Sequence, residues 1–436
     1  MRIHDQSRRI LLLPITLAMI TCASSLLASD NELNLTRVNP PAAPGSLAPA
    51  TSLAPDGRSV LLSWLELVDT ETQDNTRQER PHYRLRFSRF QEESWSDPLT
   101  IVEHVPFFAN WADTPSILQV DDGRLFAHWL EKSGEGTFAY DVRIASSNDD
   151  GMTWTHIGAA HNDGTQTEHG FVSLVPEADG IRAFWLDGRE MAIDDDADDE
   201  GHGSGNMNLR SALVSDRVTR GIRLDERICE CCGTSAITTR TGPVIFYRDR
   251  SMDEVRDIWM VRYDGMEWTA PEPVHVDGWI IPGCPVNGPA SASLGTNIAV
   301  AWYTAANSLP QIRVAFSKDE GKTFQKPFIL DDGQPLGRVD VVLTPDGDAI
   351  VSWLDSGSLF GAILARRISP DGRMSPTISL TSSSIQRSSG FPRLTRLQNT
   401  LLLVWTEDEP ALQVRAAWFN LDQFPRIMDE IAPIAD

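Results

Sequence analysis

One short pattern recurs seven times along the 436 residues: an apolar run ends in an aromatic residue, followed two positions later, in six copies, by an acid. The pairs are Trp64 and Glu66, Trp129 and Glu131, Trp185 and Asp187, Tyr247 and Asp249, Trp353 and Asp355, Trp405 and Glu407; in the remaining copy Trp302 is followed by Thr304. Successive aromatics are 65, 56, 62, 55, 51 and 52 residues apart. A repeat of this length is one supersecondary unit that cannot bury its apolar face alone, so neighbouring units must pack on each other. Turn signals at Asp56-Gly57, Asp122-Gly123, Asp179-Gly180 and Asp346-Gly347 each separate two apolar runs, which is a hairpin signature. Two further short strands follow, for example within 139–146 and 154–158, and helical periodicity is absent. The predicted class is all-β: a β-propeller of four-stranded blades, with seven blades, or six if one hairpin is an add-on.

Outside the repeat, Arg8 and Arg9 precede an apolar stretch from Ile10 to Ile20 and small residues through Ala28. This predicts a secretory signal over residues 1–28, too short for a membrane span, and a periplasmic or secreted product. Cys22 also stands where a lipid anchor would attach. Residues 29–44 form an N-terminal segment whose stretch near Leu33–Val38 is expected to supply a closing strand; the propeller is assigned to 45–425 and a tail to 426–436. With 38 Lys+Arg against 61 Asp+Glu the formal charge is −23. No basic block is present, which argues against nucleic acid as a partner, and no second long apolar run suggests an integral membrane protein.

Two turns carry a sharper signal. Ser147-Asn148-Asp149-Asp150-Gly151-Met152-Thr153-Trp154 and Ser317-Lys318-Asp319-Glu320-Gly321-Lys322-Thr323-Phe324 share Ser-x-Asp-x-Gly-x-Thr-aromatic. Asp149 and Asp319 are expected to accept N–H bonds inside the turn, Gly151 and Gly321 to supply positive φ, and Trp154 and Phe324 to pack beneath. On these motifs residues 45–425 resemble the sialidase-like (BNR repeat, Asp-box) propellers. The resemblance implies the fold more firmly than the activity.

Sialidases of that family bind a substrate carboxylate with three arginines, use a Tyr assisted by a Glu as nucleophile and an Asp as acid/base. Here the Phe/Tyr-Arg-Ile-Pro motif is missing, and Thr36-Arg37-Val38-Asn39-Pro40 is a distant echo with one residue too many. At the starts of the inner strands, Arg338 and Arg393, with Arg189 and Arg248 or Arg250, are candidates for an anion clamp. Asp113 is similar in position to the acid/base, whereas Phe391 stands where the resemblance would place the tyrosine. The alternative role for the arginines is to neutralise a carboxylate ring formed by the acids of the repeat.

Four cysteines, Cys229, Cys231, Cys232 and Cys284, open blades 4 and 5. An even number in an oxidising compartment predicts disulfides, with three connectivities open; the alternative is a copper, zinc or redox site with His169. The acidic stretch at 190–205, including Asp194–Asp196, Asp198–Glu200 and His202, is expected to be a solvated loop, calcium being the alternative. Together these residues predict a secreted propeller whose axial pocket takes an acidic or polar small-molecule ligand, a glycan being the leading class and an exo-glycosidase the enzyme version. The rival is a non-catalytic envelope protein, holding a metal or redox site or serving as a protein-interaction scaffold.

Overall fold

The structure, a computed structural model, describes residues 33–68, 81–193, 205–357, 361–429 and 431–435. The signal segment with Cys22 and the calcium alternative at Asp194–His202 lie outside the described residues. Seven antiparallel sheets stand in a ring, which decides between six blades and seven. Their inner strands, in chain order, are Leu47–Leu53, Ser116–Gln119, His169–Glu177, Ser235–Thr238, Ala290–Leu294, Pro335–Leu343 and Arg393–Leu397. Blade 7 takes its outermost strand from the other end of the chain: Thr36 and Arg37 pair with Trp418 and Ala417. The C-terminal segment lies against blades 5 and 6, Ala435 donating to Pro327 O and Ala432 to Gly372 O.

The second strand of each blade is packed on both faces, so it is apolar almost throughout rather than alternating. Val60–Leu65, Leu125–Leu130 and Ala349–Leu354 are fully buried. Trp64, Trp129, Trp185, Trp302 and Trp353 are among the largest fully buried side chains, and truncating any one to Ala removes about 3–5 kcal/mol.

Residues two apart on a strand share a face, which explains the acid after each tryptophan. The indole N–H donates to it: Trp64 to Glu66 at 3.3 Å, Trp129 to Glu131 at 3.1 Å and Trp185 to Asp187 at 2.7 Å. Opposite these tryptophans on the third strand sit Arg86, Arg143 and Arg210, each within 4 Å of that acid. In blade 5, where Thr304 replaces the acid, Asp277 takes over, accepting from Trp302 at 2.7 Å and from Arg313 at 2.6 Å. Many acids of the repeat are thus consumed inside their own blades.

Each junction between inner strands is tied by a polar side chain. Thr51–Thr395, Ser173–Thr234 and Ser235–Ser291 are hydroxyl pairs at 2.7–2.8 Å, and Ser52 donates to Ile117 O at 2.7 Å. Asp113, Asn287 and Asp340 close the other three junctions by accepting the backbone N–H of Phe171, Arg338 and Leu394, all at 2.8 Å.

On the periphery, Asp149 accepts from Thr153 N (2.9 Å) and Oγ1 (2.7 Å), and Asp319 accepts from Thr323 at the same two distances. The turn aromatics reach the preceding blade, Trp154 meeting Phe87 and Phe324 meeting Phe246 edge-on. These turns serve packing between blades.

Candidate functional site at the axial mouth

Where the inner strands begin, they enclose an axial cavity of about 110 Å³ lined by Asp113, Thr114, Thr234, Ser235, Asp340 and Arg393, among others. Three inner strands start with a bulge and a left-handed residue, Ala48 (φ 57°), Phe171 (φ 52°) and Arg338 (φ 52°); the last two follow a glycine, Gly170 and Gly337. Non-glycine residues reach this region only when their surroundings hold them there. Asp113 and Asn287 do so by accepting the strained residue's N–H, and a Cβ on Gly170 or Gly337 would collide with those same side chains.

Asp113 is nearly inaccessible, and its second oxygen lies 3.1 Å from the Tyr140 hydroxyl, which is also 2.9 Å from Glu168. One hydroxyl carries one proton, so it donates to one carboxyl and must accept from a protonated other. Burial pushes Asp113 up to about 7 against the pull of the Phe171 N–H and Tyr140. Burial, together with the charges of Asp113 and Cys229, carries Glu168 to about 8. Tyr140 is itself buried and stacked on Phe108 at 4.0 Å, so it cannot reach a substrate.

Of the five candidate arginines, Arg250 is paired with Glu230 and Glu254; the other four divide into two kinds. Arg189 is forked onto Asp187 at 2.6 Å through both Nε and Nη2 and lies 3.1 Å from Asp163. Arg248 is buried over the Trp279 ring, and its guanidinium donates to three backbone carbonyls, of Asn287, Arg256 and Tyr303. Neither lines the axial cavity. Arg338 and Arg393 differ: among the described residues no carboxylate lies within 4 Å of either. They bracket a stacked aromatic pair, Arg338 lying 4.9 Å over Trp111, Trp111 stacking on Phe391 at 5.8 Å, and Arg393 lying 5.9 Å from Phe391. Arg338 Nη1 donates to Ser389 Oγ and to the carbonyls of Gln386 and Gly390. Burial and the nearby Arg387 charge lower Arg338 to about 10, while Asp408 offsets part of this. Arg393 Nε is buried without a hydrogen bond.

Cys231 and Cys284 form a disulfide, whereas Cys229 and Cys232 are buried thiols with sulfurs 2.6 Å apart. Burial alone would raise Cys229; the Cys232 hydrogen bond and the Arg256 charge, 3.4 Å away, bring it down to about 6. His169 does not join the cysteines. It stacks on His161 among Asp141, Asp163 and Asp187, while the candidate ligand cluster at the cysteines contains only Cys229, Cys231 and Cys232. Trp111, Asn287, Tyr140 and Glu168 were not singled out by sequence; for Trp111 the available signal was an aromatic two residues before Asp113 at an inner-strand start.

No protein-family profile matches the chain, and no curated protein sequence matches it. Solved structures do. A Dyadobacter fermentans protein of unknown function is 14% identical with a TM-score of 0.50, covering 88% of this chain and 98% of its own. The Hadza microbial sialidase Hz136 is 13% identical with a TM-score of 0.45, over 90% of this chain and 97% of its own. A Trypanosoma rangeli sialidase is 12% identical with a TM-score of 0.43, over 74% of this chain and 56% of its own. At these identities the likeness is one of fold. The propellers similar to this chain include sialidases, and the site has to be argued from its own residues.

Proposed function

We propose that the axial mouth binds a carbohydrate bearing a carboxylate, such as a terminal acidic sugar residue, and that the protein works in the periplasm or outside the cell. The observation that carries this reading is the pair Arg338 and Arg393, buried or half-buried cations without a protein carboxylate within 4 Å, set against Trp111 and Phe391. A buried charge needs a counter-charge. A sugar acid supplies one through bidentate pairing, while its C–H face packs on an aromatic ring. The disulfide Cys231–Cys284 fits an oxidising compartment.

Calorimetric titration with N-acetylneuraminic acid, galacturonic acid and neutral galactose tests the reading. The acidic sugars are expected to bind and galactose not to, with Arg393→Met and Trp111→Ala each weakening binding by roughly tenfold or more. Equal binding of galactose, or acidic sugars indifferent to both substitutions, overturns it.

A second reading, hydrolysis of that terminal sugar, draws on one observation: Asp113 lines the same cavity with a pKa near 7. A carboxylic acid still protonated near neutrality suits proton donation to a glycosidic oxygen once a substrate displaces its Tyr140 hydrogen bond. Release of fluorophore from an umbelliferyl sialoside, lost in Asp113→Asn, is its signature.

A further inference from the structure

The four described cysteines come from two neighbouring blades and meet beside the axial mouth. Cys229-Glu230-Cys231-Cys232 leads into the inner strand of blade 4, and Cys284 lies on the segment that leads into that of blade 5. Gly233, Thr234 and Ser235, which follow the first run, line the axial cavity, as do Gly288, Pro289 and Ala290 beyond Cys284.

Their surroundings are graded from inside to outside. Cys229 and Cys232 are each 1% exposed, Cys231 is half-buried and Cys284 faces solvent. The outer pair is oxidised, Cys231 to Cys284, and the inner pair is reduced. Cys229 Sγ touches both: it lies 2.6 Å from Cys232 Sγ and 3.9 Å from Cys231 Sγ. Cys229 and Cys232 also have the Cys-x-x-Cys spacing at which a dithiol closes on itself.

Thiol–disulfide exchange requires a thiolate as attacker. Arg256 Nη1, buried 3.4 Å from Cys229 Sγ, stabilises that charge, although Arg256 also pairs with Glu230 and Glu254. Cys232 is driven the other way: burial, and the hydrogen bond and charge of Cys229, keep its proton on. Cys229 is therefore the first nucleophile and Cys232 the second.

We propose that the four cysteines form an exchange relay through which the buried Cys229 and Cys232 reduce a small-molecule disulfide met at the exposed Cys284, independently of sugar binding. The Cys229 thiolate attacks Cys231 Sγ; the Cys229–Cys231 bond forms, the Cys231–Cys284 bond breaks, and the electron pair leaves on Cys284. Cys232 then loses its proton and attacks Cys229 Sγ, forming the Cys229–Cys232 bond and releasing Cys231 as a thiolate. At the surface the Cys284 thiolate attacks the external disulfide, forming a mixed disulfide and expelling one thiolate; Cys231 attacks Cys284 Sγ, restores the outer bridge and expels the second. In sum the inner dithiol is oxidised to a disulfide, the external disulfide is reduced to two thiols, and the two protons end on those thiols.

The test mixes the full chain, purified without reductant, with excess oxidised glutathione; released glutathione thiol is counted and the bridges are mapped by mass spectrometry after acid quenching. About two equivalents are expected, with Cys229–Cys232 newly joined and Cys231–Cys284 retained. Cys229→Ser should slow the release at least about tenfold. If that variant fails to fold, Cys232→Ser carries the comparison: the relay then halts with Cys229 joined to Cys231, glutathione held on Cys284 and about one equivalent released. No release from the parent, or glutathione attached to Cys229 in Cys232→Ser with the outer bridge unopened, overturns the proposal.

Discussion

Asp113 in blade 2 and Asn287 in blade 5 do the same work: each accepts, at 2.8 Å, the backbone N–H of a left-handed residue in the next blade, Phe171 and Arg338 respectively. One is ionisable and the other is not, so this clasp does not need a charge. An amide at residue 113 should therefore preserve the fold.

Asp113→Asn isolates the titration. The folded state raises this group from an ordinary 3.8 to about 7, so it holds a proton that the unfolded chain has released. Its contribution to stability is full below pH 4 and is lost as pH rises through 7. Thermal melts from pH 4 to pH 8 should fall less steeply with pH in the variant than in the parent; parallel slopes would show that Asp113 is not titrating in that window.

Arg248→Met should be among the most damaging single changes. It leaves the carbonyls of Asn287, Arg256 and Tyr303 without their shared donor, at about 3–5 kcal/mol. Urea unfolding measures it, and a loss under about 1 kcal/mol would mean that water replaces the guanidinium.

The two peripheral turns look alike in sequence, yet their glycines should not be equally sensitive. A Cβ on Gly151 would strike the Phe87 ring of blade 1, whereas one on Gly321 would meet Ile298 Cδ1 at 3.4 Å. Both positions have positive φ, at 86° and 83°. Gly151→Ala should therefore exceed Gly321→Ala by about 1–2 kcal/mol in unfolding free energy, with sugar binding unchanged in both; equal losses would contradict the packing difference.

Thiol counting on denatured, unreduced protein lacking residues 1–28 should give two reactive sulfhydryls, from Cys229 and Cys232. A count of four would remove the Cys231–Cys284 bridge, and a count of zero would mean that the two buried thiols are joined as well.

The architecture could be read from sequence because the repeat states it several times over: a buried aromatic on each second strand and a turn before it. The acid two residues later was equally visible, but its partner was not. Trp-to-acid hydrogen bonds and the facing Arg86, Arg143 and Arg210 depend on register across a hairpin, which spacing along one strand does not reveal. The arginines illustrate the same limit. Arg189, Arg248, Arg338 and Arg393 occupy comparable places in the repeat, yet Arg189 is paired with acids, Arg248 and Arg338 donate to carbonyls, and Arg393 has no carboxylate within 4 Å but feels the charge of Asp340. Spacing along the chain places His169 beside the cysteines, because neighbouring blades open side by side. The structure groups it instead with His161 and Asp163, from the segment leading into its own blade. The stacked Trp111 and Phe391 join blades 2 and 7, a contact made only when the ring closes.

The most direct measurement is a crystal structure of the full chain with N-acetylneuraminic acid at saturating concentration. The carboxylate is expected within hydrogen-bonding distance of the Arg393 guanidinium, with the sugar against Phe391. A sugar bound at another surface, with the axial mouth unchanged, would contradict the account.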